Sequence, residues 1–168
     1  MEKILIISTS YSDVDSEIKQ IAMVLNTVGF EVDIAKNIPS ESLSDDSFIQ
    51  QYKYYFCLIT NNWEQEISQE VFLKAIELIN DSGNQYWTVC DQRTIYARTI
   101  LKDLDDISDL PSKFKKHYIY FLIHIYHVFT KEHIADPDSR SGNWVHPYRV
   151  LKEINKYFSV QIEYALDE

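Results

Sequence analysis

The side chain best placed for covalent chemistry is that of Glu70. A helix over residues 67–79 would carry an apolar stripe, and Glu70 would lie just beside that stripe near the first turn. A carboxylate in such a position can stabilise the oxocarbenium-like state through which an N-glycosidic bond breaks. The alternative is an exposed pair of Glu70 with Lys74, one helical turn away, which would contribute only about 0.2–0.5 kcal/mol to stability.

Five histidines invite a metal hypothesis, because imidazole is the commonest side-chain ligand of transition metals. They are His117, His124, His127, His133 and His146. His124 and His127 are three residues apart, but no carboxylate lies between them and apolar residues flank both. The favoured interpretation is therefore that these histidines bond backbone carbonyls around a buried aromatic helix, and no metal site is predicted.

A polar segment at residues 136–142 resembles a calcium loop in composition only. Arg140 stands at the third ligand position and no glutamate closes the loop, so a calcium site is rejected. Arg140 and Arg149 flank a short segment that holds Trp144 and His146, an arrangement suited to an anionic or planar ligand. The favoured alternative is that Arg140 pairs with a neighbouring aspartate on the surface.

Glycine is scarce, with three residues in a chain of 168. Neither GxGxxG nor GxxxxGK[ST] occurs, so the backbone cradle that these motifs build around phosphates is missing. A dinucleotide bound in the Rossmann manner and a Walker-type nucleotide site are both excluded.

The first ninety residues predict alternating strands and helices. The predicted strands are residues 3–8, 30–34, 53–60 and 85–90, with helices over 18–28 and 67–79. The first strand is almost wholly apolar, which predicts an interior position, whereas the second alternates apolar with acidic residues, which predicts an edge. We therefore expect an α/β, flavodoxin-like three-layer sandwich with a mostly parallel sheet in the order 2-1-3-4.

The second half is less regular, although residues 1–168 are predicted to form a single domain. Helical patterns are expected at 95–104 and 150–158, a loop at 136–146, and a fifth strand near 159–164. Residues 118–129 are apolar on all sides, so periodicity does not decide between helix and strand, but their length favours a helix. We expect polar residues of the loops at the carboxyl ends of the strands, called here the rim, to bind any ligand.

Composition narrows the functional classes. With 16 Lys plus Arg against 26 Asp plus Glu, the formal net charge is −10, so the surface repels phosphate backbones and nucleic-acid binding is not expected. Cys57 and Cys90 both lie in apolar runs, which predicts buried, reduced thiols and a cytoplasmic location. No segment is both long and free of charge, so no membrane span is predicted.

Residues 3–36 resemble the opening of a response-regulator receiver. That family holds Mg²⁺ on acidic residues after the first strand and accepts phosphate on an aspartate at the end of the third. This chain has hydroxyl residues at 8–10 and Thr60 at those places. Because a hard dication prefers carboxylate oxygens, this resemblance implies a non-catalytic receiver-like module without a phosphoacceptor.

Residues 1–80 also resemble the Toll/interleukin receptor (TIR) domain family. Residues 7–12, followed by Asp13, are similar to its opening box, and residues 56–75 are similar to its third strand and the acid-bearing helix behind it. The resemblance implies a cytoplasmic signalling or defence domain, whose enzymatic members use a glutamate on that helix to cleave the nicotinamide–ribose bond of NAD. Glu70 is the best match for this glutamate, and Glu66 is the second.

In that family, the pocket would hold NAD as a substrate, and no other cofactor is implied. Its lining would include Ser10, Tyr11, Ser12 and Trp63. The Trp-Cys pair that precedes the glutamate in the family is absent, and residues 38–40 replace its Pro-Gly turn. Two alternatives therefore stay open: an NAD glycohydrolase, or a non-catalytic module that binds a protein partner through the same rim.

The aromatic segment 118–129 suggests self-association. It contains Tyr118, Tyr120, Phe121, Tyr126 and Phe129, more apolar surface than one outer helix needs to cover a sheet. The extra face would be covered either by the C-terminal third of the same chain or by the same helix of a second copy in a homodimer.

Overall fold

A five-stranded parallel sheet forms the centre of the computed structural model, which describes residues 1–101, 118–135 and 145–167. The strands are β1 (Lys3–Ser8), β2 (Glu31–Ile34), β3 (Tyr54–Ile59), β4 (Gln85–Asp91) and β5 (Val145–Tyr148). Their order is β2-β1-β3-β4-β5, and every pair is parallel. The predicted order of the first four strands is confirmed, as is the edge position of β2.

Helices cover both faces of the sheet. They are α1 (Asp15–Thr27), α2 (Ser40–Leu43), α3 (Asp46–Ile49), α4 (Gln69–Asp81), α5 (Gln92–Leu101), α6 (Ile119–Ala135) and α7 (Lys152–Asp167), with 3₁₀ turns at Ser12–Val14 and Ala35–Asn37. Helix α1 packs against α7, whereas α4 and α5 pack against α6, so the expected flavodoxin-like three-layer arrangement is confirmed. The segment 118–129 is helical from Ile119 onwards, as its length predicted, and Tyr118 lies in the turn before the helix.

Local sequence signals explain where the regular elements stop and start. Gly29 has φ 98° just after α1, a left-handed conformation that glycine adopts without strain. Ser68 caps α4, because its hydroxyl accepts a hydrogen bond from the backbone N–H of Val71 at 3.2 Å. The cap places Glu70 in the first turn of α4, as the sequence predicted for its helix.

The core is aromatic where the three central strands meet the helices. Trp87 of β4 stacks on Tyr54 of β3, with ring centroids 5.2 Å apart. Phe56 of β3 stacks on Phe158 of α7, with ring centroids 4.4 Å apart. Cys57 is buried within the same sheet, and Cys90 is buried likewise, so both thiols are free and inaccessible as predicted. Burial raises the pKa of each thiol well above its ordinary value.

The predicted fifth strand near 159–164 is wrong. Those residues belong to α7, in which Ile154, Phe158 and Ile162 recur every four residues and are buried. The alternation at 160–164 suggested a strand with Val160, Ile162 and Tyr164 on one face. In the helix, Ile162 is buried whereas Val160 and Tyr164 are exposed.

The fifth strand is instead β5, whose first two residues were expected to belong to a loop. Among the described residues, this strand pairs only with β4. Pro147 is tolerated within it because an edge strand has backbone groups that need no partner. Among the described residues, no helix is both long enough and apolar enough to cross a membrane.

Candidate functional site

A cavity of about 600 Å³ opens at the rim, where the loops after β1, β3, β4 and β5 converge. It is called here the rim cavity, and its polar lining includes Asp13, Thr60, Asn61, Asn62, Asp91, Arg93, Tyr148 and Arg149. Its size lies within the range of about 300–1,000 Å³ typical of small-molecule sites. Open α/β sheets bind ligands at this end, since diverging connections leave a crevice there.

Asp91 and Arg93 form an ion pair in the lining of the rim cavity. The guanidinium of Arg93 donates from Nε to Oδ1 at 3.0 Å and from Nη2 to Oδ2 at 2.8 Å, and the backbone N–H of Arg93 also donates to Oδ1. The carboxylate side chain is only 8% exposed, whereas the arginine side chain is 72% exposed. The Asp91 carboxylate raises the pKa of Arg93, so a permanent cation stands in the wall, and the described residues give its Nη1 no hydrogen-bond partner.

Asp13 supplies a second carboxylate to the rim cavity. Its Oδ2 accepts hydrogen bonds from Ser10 Oγ and from Asn62 Nδ2, each at 2.9 Å. These two donors come from the loops after β1 and β3, which are further joined by a hydrogen bond of 3.0 Å between the hydroxyls of Thr9 and Thr60. The carboxylate is therefore held in place from two neighbouring strands.

The Glu64 carboxylate binds backbone and side-chain donors of the loop after β1. Its carboxylate accepts hydrogen bonds from the backbone N–H groups of Tyr11 at 3.1 Å and Ser12 at 3.0 Å. It also accepts from the hydroxyl of Ser12, and the Ser10 hydroxyl, 2.7 Å away, shares its one proton between Glu64 and Asp13. Desolvation raises the pKa of Glu64, but the hydrogen bonds from both serines and both amides outweigh it, so the pKa lies below its ordinary value.

The predicted pocket residues are divided between the interior and two surface regions. Ser10 and Tyr11 are buried and Ser12 is exposed, and all three contact Glu64 rather than Glu70. Burial raises the pKa of the Tyr11 phenol, whose oxygen accepts a hydrogen bond from the backbone N–H of Ser8. Tyr11 is therefore a core side chain in this structure.

Trp63 lines a different cavity, of about 460 Å³, beside the first turn of α4. This α4 cavity is formed by Trp63, Gln65, Ile67, Ser68, Gln69 and Tyr118. The indole packs edge-on against Phe72 and Phe121, which leaves it half-buried and rigidly held. Glu70 directly follows Gln69, the α4 residue of this lining, and is exposed to solvent, as is Glu66 in the preceding loop.

Several polar residues at the rim were not assigned a role from the sequence, and Asn61 and Arg93 of the rim cavity are among them. Asn62, Glu64, Asp91 and Tyr148 lie in or beside the rim cavity or hold its loops. Asp91 carried a detectable signal, since it ends the apolar run of β4 at the rim. Tyr148 carried none, because its strand was not predicted. Burial is the main cause that raises the pKa of Tyr148, with Asp91 adding to it, so the phenol is neutral.

The histidines give no metal cluster in the described part of the chain, where no group of three or more histidine, cysteine or acidic residues could hold an ion. His127 lies 3.4 Å from Arg98 Nε, and its pKa is lowered by burial and then by the positive charge of Arg98. The side chains of His117 and His133 lie outside the described residues. The segment 136–144 also lies outside the described residues. It includes the rejected calcium loop, and Arg140 and Trp144, for which contacts were predicted.

Comparison with protein-family models, with curated proteins and with solved structures gives no match for this chain. The resemblances to the receiver and TIR families therefore remain predictions from the sequence.

Proposed function

We propose that this domain binds a nucleotide-type ligand in the rim cavity. The observation that carries the proposal is the convergence of four strand ends on one cavity of about 600 Å³ with two carboxylates and two guanidinium groups in its lining. The carboxylates are Asp13 and Asp91, and the guanidinium groups are those of Arg93 and Arg149.

The lining can bind the two kinds of polar group that a nucleotide carries, its phosphate oxygens and its ribose hydroxyls. A guanidinium such as that of Arg93 binds phosphate oxygens through charge-assisted hydrogen bonds. The Asp13 carboxylate and the Asn61 and Asn62 amides can accept hydrogen bonds from ribose hydroxyls. NAD, implied as a substrate by the TIR resemblance, carries both kinds of group and is the first ligand to test.

Calorimetric titration of the protein with AMP and with NAD tests this proposal. Arg93→Gln should weaken binding by about tenfold or more, because a charged hydrogen bond is worth about 1.5–3 kcal/mol. Lys74→Gln removes the same charge from an exposed position on α4 and should leave the affinity unchanged. Thermal unfolding of Arg93→Gln, followed separately, shows whether any loss of binding is a loss of fold.

The proposal fails if neither nucleotide binds the folded wild-type protein at millimolar concentration. It also fails if a folded Arg93→Gln protein binds as well as the wild type does.

A second candidate function is hydrolysis of the nicotinamide–ribose bond of NAD. The observation that favours it is the α4 cavity, in which the Trp63 ring stands beside the turn that carries Glu70. In this reaction the C–N bond breaks, nicotinamide leaves with the electron pair, and water adds to the ribose carbon. The Glu70 carboxylate would stabilise the oxocarbenium-like state.

Nicotinamide release from NAD by concentrated protein tests the second candidate. Glu70→Gln should lower the rate by about a hundredfold, the lower end of the contribution of a positioned carboxylate. Glu77→Gln lies two turns further along α4, is also exposed, and should retain the full rate. Equal rates for the wild type and Glu70→Gln would reject Glu70, and Glu66→Gln would then be measured in the same assay.

A further inference from the structure

A second polar cavity adjoins the rim cavity on the outer side of β5. This β5 cavity has a volume of about 480 Å³ and lies between β5, α7 and the start of α5. The residues that matter for its chemistry are Gln92, His146, Arg149, Glu153, Lys156 and Tyr157. Its volume also lies in the range of small-molecule sites.

The wall of the β5 cavity contains a flat aromatic platform. The imidazole of His146 stacks on the phenol ring of Tyr157, with centroids 4.4 Å apart and planes 9° from parallel. Burial raises the pKa of Tyr157 to about 12, and burial is also the main cause that lowers the pKa of His146. Both rings are thus uncharged near neutral pH, and such stacked rings accept a further planar ring by stacking.

Arg149 joins the two cavities, since it lines both. Its Nε donates a hydrogen bond of 2.6 Å to Gln92 Oε1, which holds the guanidinium between the ends of β4 and β5. Lys156 adds a second cation to the lining of the β5 cavity.

Neither cation forms an ion pair in the described part of the chain, but the Glu153 carboxylate lies near Arg149. Glu153, the acidic residue of the β5 cavity, accepts hydrogen bonds from the backbone N–H groups of Arg149 at 2.6 Å and Val150 at 3.5 Å. The hydrogen bond from the Arg149 backbone, and after it the Arg149 charge, lower the pKa of Glu153. Two such cations beside a cavity, in a chain of net charge −10, indicate a site for an anionic group.

We propose that the rim cavity and the β5 cavity together bind one dinucleotide, a ligand with two ring-bearing halves joined by a diphosphate. The diphosphate lies against Arg149 and Lys156, one base stacks on the His146–Tyr157 platform, and the other half occupies the rim cavity. This inference rests on the proposed function and extends the binding site from the rim cavity to the β5 cavity. Side-chain cations replace the glycine-rich backbone cradle that this chain lacks.

The experiment compares AMP with diadenosine diphosphate and NAD by calorimetric titration. Diadenosine diphosphate has two bases and a diphosphate but no nicotinamide–ribose bond, so hydrolysis of that bond does not disturb its titration. Each dinucleotide should bind at least about tenfold more tightly than AMP, because a second charged group and a second stacked ring are engaged.

Two variants locate the second half of the ligand. Arg149→Gln and His146→Ala change side chains that line the β5 cavity, and each should remove most of the advantage of the dinucleotides over AMP. Lys74→Gln, which alters a cation on the opposite face of the sheet, should keep that advantage.

The outcomes separate this inference from the proposed function. If AMP binds and the dinucleotides bind no more tightly, the two-cavity inference is overturned while nucleotide binding at the rim stands. If the advantage of the dinucleotides survives both Arg149→Gln and His146→Ala, the second half binds elsewhere and the inference is again overturned. If no nucleotide binds the folded protein, the proposed function itself fails.

Discussion

At the scale of single residues, Glu64 joins the loops that follow β1 and β3. Its carboxylate satisfies backbone N–H groups of Tyr11 and Ser12, which precede α1 and have no partner within that helix. In return, the backbone N–H of Glu64 donates to the carbonyl oxygen of Thr9 at 2.9 Å. The loop that carries Asp13 into the rim cavity is therefore held at its base by Glu64.

Replacing Glu64 with glutamine should lower the free energy of unfolding by about 1 kcal/mol near pH 7, the usual contribution of a side chain that caps free amides. Urea unfolding measures this difference. Glu77→Gln, an exposed change on α4 with no described partner, should leave the free energy of unfolding unaltered. An equal effect of the two substitutions would contradict the capping role.

The same substitution should also change how stability depends on pH. The pKa of Glu64 in the folded chain lies below its ordinary value of 4.5, so folding favours the charged form. Its contribution is complete above the ordinary pKa and is lost as the pH falls through the lowered pKa. The difference between wild type and Glu64→Gln should therefore be constant from neutral pH down to about pH 5 and shrink below it. A difference that grows on acidification would contradict this sign.

The Asp91–Arg93 pair should contribute more to the free energy of unfolding than the ion pairs of the outer surface do. Asp91→Asn removes a charged acceptor of three hydrogen bonds from a nearly buried position, which should cost about 1–3 kcal/mol of unfolding free energy. Asp15→Asn breaks an exposed pair with Lys19 and should cost less than about 0.5 kcal/mol. Urea unfolding measures both losses. Equal losses of unfolding free energy for Asp91→Asn and Asp15→Asn would contradict the larger contribution expected of Asp91.

At the scale of elements, α7 shows how a short pattern misleads. Residues 160–164 alternate apolar with polar, which is typical of a strand, but the four-residue spacing of Ile154, Phe158 and Ile162 continues through them. The longer pattern decides the structure, because Phe158 must reach Phe56 in the core of the sheet.

Two alanine substitutions distinguish the helix from a strand at this place. A strand would put Ile162 and Tyr164 on one face, whereas in α7 Ile162 is 7% exposed and Tyr164 is 68% exposed. Ile162→Ala should therefore cost about 2–5 kcal/mol of unfolding free energy. Tyr164→Ala should change it by no more than about 0.5 kcal/mol. A large loss for Tyr164→Ala would contradict the helix.

At the scale of the whole molecule, self-association through 118–129 stays a prediction. In α6 the side chains of Ile119, Leu122, Ile125 and Phe129 are buried, and those of Tyr120 and Tyr126 are half-buried. Arg98 of α5 lies 5.5 Å from the centre of the Tyr126 ring and covers part of this second face. The remaining apolar surface of α6 is the part that a second copy would cover.

Sedimentation at micromolar concentration tests the homodimer. The wild type should sediment at about twice the 19.9 kDa of one chain, and Tyr126→Glu should shift it towards the monomer, because a charge placed in an apolar contact is costly. Lys19→Glu on α1, across the sheet from α6, is the control and should remain dimeric. A wild-type monomer would show that α5 and the rest of the chain cover α6 by themselves.

The sequence by itself determined the sheet and its order over the first ninety residues. Continuous apolar runs such as Lys3–Ser8 must be covered on both faces, and the alternation in β2 permits only an edge, so local patterns suffice there. The tertiary structure decided how the rim is built. Glu64 and Ser12 are 52 positions apart, and Asp91 and Tyr148 meet only because β5 pairs with β4. Contacts of this kind depend on which loops the parallel strands bring to one end of the sheet, and no spacing within a single element encodes them.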